Sequence, residues 1–178
     1  MKSYKDRRTW LGIVAGVVML LSVSGTLMAQ TTCTPPPPGM VAWWPGDGNA
    51  NDISASNNHG TLMNGTTFAA GKVGQAFSFD GVDDHVLITN ASTLNPTGAI
   101  TLDAWVFVTG KQFSHRDIIS KDGETFERQY LLTASDVNRF RPHVGVPSGF
   151  KYFDGSTAVA LNTWYHAAMT YDGTTLKL

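Results

Sequence analysis

Glutamate is rare in this chain, whose 178 residues include only Glu124 and Glu127. Many glycoside hydrolases need a pair of carboxylates that face one substrate. Successive residues of a strand point to opposite faces, so two glutamates three positions apart do not share a face. The sequence also lacks a Gly-x-Ser-x-Gly turn, a His-Glu-x-x-His helix and a phosphate-binding glycine loop. These absences exclude several common catalytic mechanisms, and we predict that the domain is not an enzyme.

Cysteine is almost absent as well, because Cys33 is the only one. A single cysteine excludes a disulfide within the chain. Three roles stay open for it: pairing with a partner outside this sequence, lipid attachment, or an idle thiol. Residues 30–32 lack the leucine and the small residue that precede a lipid-attachment cysteine, so pairing is favoured over lipid attachment, and the idle thiol stays open.

Positive charge is scarce beyond the N-terminus. Residues 30–178 hold nine Lys and Arg against thirteen Asp and Glu, which gives a net charge of −4. A nucleic-acid-binding domain needs a basic surface to neutralise phosphates. We therefore expect no nucleic-acid partner.

Long hydrophobic runs are also lacking. The main apolar run covers residues 10–21 and follows four basic residues. About 20 apolar residues are needed to span a membrane, whereas this shorter run with a basic start is typical of an export signal. We predict a signal peptide at residues 1–29, cleaved after Ala29, and the alternative is an uncleaved membrane anchor. The Arg7-Arg8 pair fits a twin-arginine signal, but its neighbours depart from that pattern and favour ordinary secretion.

The next segment is rich in proline. Four consecutive prolines at residues 35–38 favour polyproline II and cannot join a central strand. We predict a Pro-rich linker at residues 30–39 and a folded domain at residues 40–178. The mature protein would then be secreted or lie at the cell surface, with no membrane contact after signal cleavage.

Alternation of period two dominates the rest of the chain. In residues 99–108, Ile100, Leu102 and Val106 belong to a wholly aliphatic face, while the other face, with Asp103 and Trp105, is mixed. Four Asp-Gly pairs are strong turn signals between such segments. Many antiparallel strands joined by short turns predict an all-β sandwich or barrel with little helix. The predicted strands are residues 75–79, 85–89, 99–108, 117–120, 129–133, 139–146 and 164–171.

Several blocks of the sequence stand out by their residue pattern. The blocks are residues 41–47 (VAWWPGD), 51–54 (NDIS) with 57–62 (NNHGTL), 71–81 (GKVGQAFSFDG), 100–106 (ITLDAWV), 161–166 (LNTWYH) and 170–173 (TYDG). In this order they resemble the blocks of laminin-G-like, concanavalin A-like jelly-roll domains of bacterial secreted proteins. The resemblance implies an all-β, antiparallel jelly-roll β-sandwich. Because the family pattern continues beyond Leu178, we expect this chain to lack the last strands and to have further domains of the same chain as partners.

The candidate metal site is the loop at residues 51–60, which is rich in Asn, Asp and Ser. Calcium prefers oxygen ligands from carboxylates and carbonyls, which such a loop supplies together. The resemblance implies the same cofactor, because related jelly rolls often hold calcium at such a loop. We predict Asp52 as the anionic ligand, Asn58 as a second ligand and Asp80 as a contributor from the neighbouring turn. These residue types are also ordinary turn formers, and the acidic pair at 83–84 fits either a second chelating cluster or a solvated hairpin tip.

Tryptophan supplies the candidate ligand-binding residues, because an exposed aromatic ring is the usual platform for a sugar ring. Trp43 and Trp44 are adjacent in an apparent strand, so they point to opposite faces and at most one joins the core. We predict both as ligand-binding residues, and we expect Trp105 and Trp164 in the core. The sequence favours a non-catalytic extracellular recognition or adhesion module that binds a glycan or a protein surface and is stabilised by calcium. The alternatives are a structural spacer and an accessory module of an exported glycoside hydrolase.

Overall fold

Short strands account for nearly all regular structure in this protein. The computed structural model describes residues 36–110, 116–122 and 128–178. Within these residues the one helical element is a 3-10 turn at Ser92–Leu94, which agrees with the predicted scarcity of helix. The predicted signal peptide, Cys33 and both glutamates lie outside the described residues. The strands are β1 (Gly60–Met63), β2 (Thr67–Ala70), β3 (Gln75–Ser78), β4 (His85–Ile88), β5 (Ile100–Phe107), β6 (Arg116–Asp122), β7 (Arg128–Ala134), β8 (Phe140–Val146), β9 (Gly149–Tyr152), β10 (Trp164–Tyr171) and β11 (Leu176–Lys177).

Two of the sheets pack against each other around the core. One contains β6, β7, β8 and β9 in that order, and the other contains β11, β10 and β5. Neighbouring strands in both sheets are antiparallel. β7 and β8 supply Leu132 and Phe140 to the core, and β10 supplies Met169 from the opposite sheet. Apolar side chains of the two sheets therefore bury one another, which confirms the predicted all-β antiparallel sandwich.

The side chains of β5 alternate strictly between half-buried and exposed. Ile100, Leu102 and Val106 pack against the core, as their aliphatic face predicts. The residues between them must point away from the core, because successive side chains of a strand face opposite ways. β10 pairs with β5 along its whole length, beginning with Trp164 opposite Phe107. The outer surface of this pair therefore consists of the mixed face of β5 and the matching face of β10.

The β2–β3 hairpin borders the site described below. Its turn is closed by a hydrogen bond of 2.9 Å from the Gly71 N–H to the Gly74 carbonyl. Gly74 has a φ of 59°, in the left-handed region that glycine adopts readily. The Gln75 N–H donates to Asp47 Oδ1 at 2.7 Å, which fastens the hairpin to the preceding loop. In the described part of the chain, no helix has the length and apolar character to cross a membrane.

Candidate functional site

Two aromatic side chains of β5 point into solvent. Trp105 is 52% exposed and Phe107 is 39% exposed. The aliphatic residues at alternate positions occupy the core side, which leaves the outer side to these rings. Trp164 is half-buried and lies opposite Phe107, on the same outer side. The prediction that Trp105 and Trp164 lie in the core is therefore wrong.

β10 places two further rings beside those of β5. The ring centres of Phe107 and Trp164 are 5.2 Å apart, and those of Trp105 and His166 are 5.1 Å apart. Each of these pairs is directly opposed in the antiparallel register, so all four rings lie on one face of the sheet. We call Trp105, Phe107, Trp164 and His166 the aromatic face. Contiguous exposed apolar surface of this kind marks interaction sites in soluble proteins.

Polar groups border the aromatic face. His166 Nε2 lies 3.4 Å from Asp103 Oδ1, and both side chains are about half exposed. The Lys72 Nζ atom lies over the Trp105 ring, 5.3 Å from its centre. Ligand sites combine apolar surface with a few polar groups that fix the orientation of the ligand. The aromatic face offers rings for apolar contact, and its border adds the Asp103 carboxylate, which accepts hydrogen bonds, and the Lys72 ammonium group, which donates them.

Asp52, a predicted calcium ligand, is buried within a hydrogen-bond network. Oδ1 accepts bonds from the backbone N–H groups of Trp43 and Ser54, and Oδ2 accepts bonds from the Ser54 hydroxyl and the Asn58 N–H, each at 2.8 Å. These four bonds use the lone pairs that a metal ion would need. Burial raises the pKa of Asp52, but the hydrogen bonds outweigh burial and hold the pKa below its ordinary value. The carboxylate thus fastens the loop at residues 51–60.

Asn58, the second predicted ligand, is also engaged within the protein. Its Nδ2 group donates to the Val41 carbonyl at 2.9 Å and to the Thr93 hydroxyl at 3.1 Å. Its backbone carbonyl accepts the indole N–H of Trp44 at 2.8 Å. The side chain and the backbone carbonyl of Asn58 therefore join the loop at residues 51–60 to residues 41–44 and to the 3-10 turn at Ser92–Leu94.

Asp80 belongs to a separate acidic group. Ligand oxygens of Asp80, Asp83 and Asp84 lie within 4.8 Å of one another, just before β4, and no other such group of three acidic, His or Cys side chains occurs in residues 36–110, 116–122 and 128–178. Asp80 Oδ1 accepts the Val82 N–H at 2.8 Å, and Asp84 Oδ2 accepts the Asp80 N–H at 3.0 Å. The structure therefore brings Asp80 together with the acidic pair, and it brings Asp52 together with Asn58.

Comparison with known proteins places this fold in a family. A family model described as the concanavalin A-like lectin/glucanases superfamily, of the laminin G type, matches residues 80–178, which is more than half of the chain. The chain belongs to this laminin G-like family. No curated protein and no solved structure matched it. The matched residues of this laminin G-like domain include Asp80 and the whole aromatic face, whereas the candidate residues Trp43, Trp44, Asp52 and Asn58 precede them.

The two predicted ligand-binding tryptophans of the laminin G-like domain lie outside any strand. Residues 40–46 have no strand structure, so the strand predicted there is wrong. Trp43 is 38% exposed, whereas Trp44 is half-buried with its indole N–H engaged. Of the two, Trp43 has the more exposed side chain.

The aromatic face is not predicted from the sequence, although the alternation in β5 indicates that Trp105 and Phe107 face outward. A strand with one wholly aliphatic side buries that side, which sends Trp105 and Phe107 outward. Assigning tryptophans to the core by residue type alone contradicts this alternation. The contribution of Trp164 and His166 depends on the register of β10 with β5, which period-two patterns do not fix.

Proposed function

We propose that this laminin G-like domain is a non-catalytic extracellular module that binds glycans on the aromatic face. The proposal rests on the exposure of Trp105 and Phe107, whose partners across the antiparallel pair, His166 and Trp164, also carry rings. The carbon-bound hydrogens of a sugar ring form an apolar surface that an exposed aromatic ring can cover, and burial of that surface is favourable. Sugar hydroxyls would meet the Asp103 carboxylate and the His166 ring nitrogen at the same place.

A glycan suits this face better than a protein surface does. Protein-binding patches have a centre that is depleted of charged groups. Here the half-exposed pair of His166 and Asp103 adjoins the ring of Trp105, and the ammonium of Lys72 lies over the same ring. A sugar has apolar carbon-bound hydrogens and polar hydroxyls side by side, and here an aromatic ring and polar groups lie side by side in the same way. Export of the mature domain, as residues 1–29 predict, would place it where glycans occur.

A glycan array compared among variants tests the proposal. Trp105→Ala should weaken binding about tenfold or more, because it removes the most exposed ring of the face. Phe150→Ala is the matched control, since Phe150 is 50% exposed on β9 of the other sheet. Trp43→Ala in the same assay tests Trp43 as a ligand contact. A folded protein that binds no glycan on the array would refute the proposal and favour the structural spacer.

We also propose that Asp80, Asp83 and Asp84 hold a calcium ion that stabilises the domain. Three carboxylates within 4.8 Å of one another repel, and carboxylate oxygens are the ligands that calcium prefers. Bound calcium would neutralise this repulsion at the loop before β4. The Asp52 network would stay independent of the ion, because its oxygens already accept four hydrogen bonds.

Thermal denaturation with calcium and with chelator tests this second proposal. Calcium should raise the melting temperature of the wild type, and Asp83→Asn should abolish the rise. Asp136→Asn should keep it, because Asp136 lies outside the acidic group. A wild-type melting temperature that calcium leaves unchanged would contradict the proposal.

A further inference from the structure

The ammonium group of Lys72 lies over the Trp105 ring. Lys72 Nζ lies 5.3 Å from the ring centre, within the range of a cation–π interaction. The Trp105 ring also has the His166 ring beside it at 5.1 Å, with an angle of 35° between the planes. A sugar that covers the indole must therefore share the ring with the ammonium group or displace it.

The backbone that carries Lys72 is fixed. Lys72 lies in the β2–β3 turn, which the bond between Gly71 and Gly74 closes and the bond from Gln75 to Asp47 anchors. A Cβ atom on Gly71 would lie 2.6 Å from the Gln75 carbonyl oxygen, so the turn is tight where Lys72 begins. The long side chain of Lys72 therefore starts from a turn that these hydrogen bonds hold beside the aromatic face.

The charge of Lys72 is available to a ligand. In residues 36–110, 116–122 and 128–178 no carboxylate forms an ion pair with it. Asp103, the acidic residue that borders the aromatic face, lies 3.4 Å from His166 Nε2 instead. An ammonium group has three N–H donors, and contact with a ring face does not consume them.

From these contacts we propose that Lys72 makes the aromatic face select glycans that carry carboxylates, such as uronic acids, over neutral glycans. The inference rests on the proposed function of this face. A neutral sugar that displaces the ammonium group from Trp105 removes the cation–π interaction and offers the cation no negative charge in its place. A uronic acid carboxylate draws the ammonium group to itself, so that the ring becomes accessible and an ion pair forms in the same event.

The test uses matched ligands that differ only in charge. The probes are oligogalacturonate and the same oligosaccharide with its carboxylates reduced to alcohols, together with other uronic acid glycans on the array and their reduced forms. The wild type should prefer the acidic member of a pair. Lys72→Met should change the two affinities in opposite directions, each by about two- to fivefold: the reduced glycan gains and the acidic glycan loses.

Two control variants separate this effect from net charge. Lys72→Arg keeps the cation and the contact with the ring, so it should retain the preference for the acidic glycan. Lys121→Met removes one positive charge from β6 in the other sheet and should leave both affinities unchanged. The preference of the wild type should also fall at about 1 M salt, where screening acts over about 3 Å.

The outcomes distinguish the inference from the function on which it rests. Glycan binding with equal affinity for both members of every pair, or a Lys72→Met variant that weakens both, would overturn the selectivity and leave glycan binding intact. A wild type that binds no glycan on the array would refute the proposed function, and the selectivity would fail with it.

Discussion

Replacement of Asp52 by alanine should destabilise the domain strongly. The change removes both acceptor oxygens from a network of four bonds, each of 2.8 Å. It leaves the N–H groups of Ser54 and Asn58 buried and that of Trp43 partly buried, all without their acceptor. An unsatisfied buried donor costs about 1–3 kcal/mol, so we expect a loss of about 4 kcal/mol in the free energy of unfolding.

Chemical and thermal denaturation, followed by circular dichroism, would measure this loss. For a domain of this size, about 4 kcal/mol corresponds to a fall of about 12 °C in the melting temperature. Asp136→Ala is the matched control: its side chain is 53% exposed and lies 3.5 Å from Arg141, so it should cost less than about 1 kcal/mol. A loss below about 1 kcal/mol for Asp52→Ala would refute the structural role of this carboxylate.

The same network predicts a dependence on pH. The pKa of Asp52 is lower in the folded protein than its ordinary value, so the network stabilises the fold above that ordinary value, about 3.9. This contribution disappears as the pH falls through the lowered pKa, when the carboxylate takes up a proton. The difference in unfolding free energy between the wild type and Asp52→Ala should therefore shrink at acidic pH. A difference that stays constant from pH 7 to pH 2 would contradict this linkage.

Two further changes test the packing and the surface charges. Gly46→Ala should lower the free energy of unfolding by about 2 kcal/mol in chemical denaturation, because Gly46 has a φ of 76° and a Cβ atom there would lie 3.1 Å from the Phe77 nitrogen. Gly98→Ala should be nearly neutral, because a Cβ atom at Gly98 would have no atom within 4 Å. Equal costs for the two variants would refute this reasoning. Arg141→Met should cost about 1 kcal/mol at neutral pH, because Arg141 donates two bonds of 2.9 Å to Asp154. The hydrogen bond from Arg141 lowers the pKa of Asp154, so the part of the cost that this pair contributes should be lost in acid. A cost that is the same at pH 2 as at pH 7 would contradict the pairing.

The strand pattern predicts much of the fold because burial on one side requires alternation. β5 shows this most clearly, since Ile100, Leu102 and Val106 lie on the core side as their spacing predicts. β1, β2 and β9 are not predicted. The side chains of these three strands do not alternate between buried and exposed, so no period-two pattern marks them. Each is defined by its antiparallel partner: β4 for β1, β3 for β2 and β8 for β9.

The candidate site is harder to predict, because the same residue types serve different roles. Asp52 and Asn58 lie in a loop that also suits a calcium site, but nearby N–H groups saturate the carboxylate. The Trp43 donor lies nine positions before Asp52, so the bond depends on how the loop closes. The aromatic face depends on the register of β10, which places His166 beside Trp105 across 61 positions of the chain.

Calorimetric titration of an array-selected glycan into the wild type and into Trp105→Ala tests glycan binding most directly. Trp105→Ala should fold normally, because the side chain is 52% exposed and lies outside the core. We predict saturable binding to the wild type and an affinity at least about tenfold lower for the variant. Equal affinity in the two proteins would contradict the assignment of the binding site to the aromatic face.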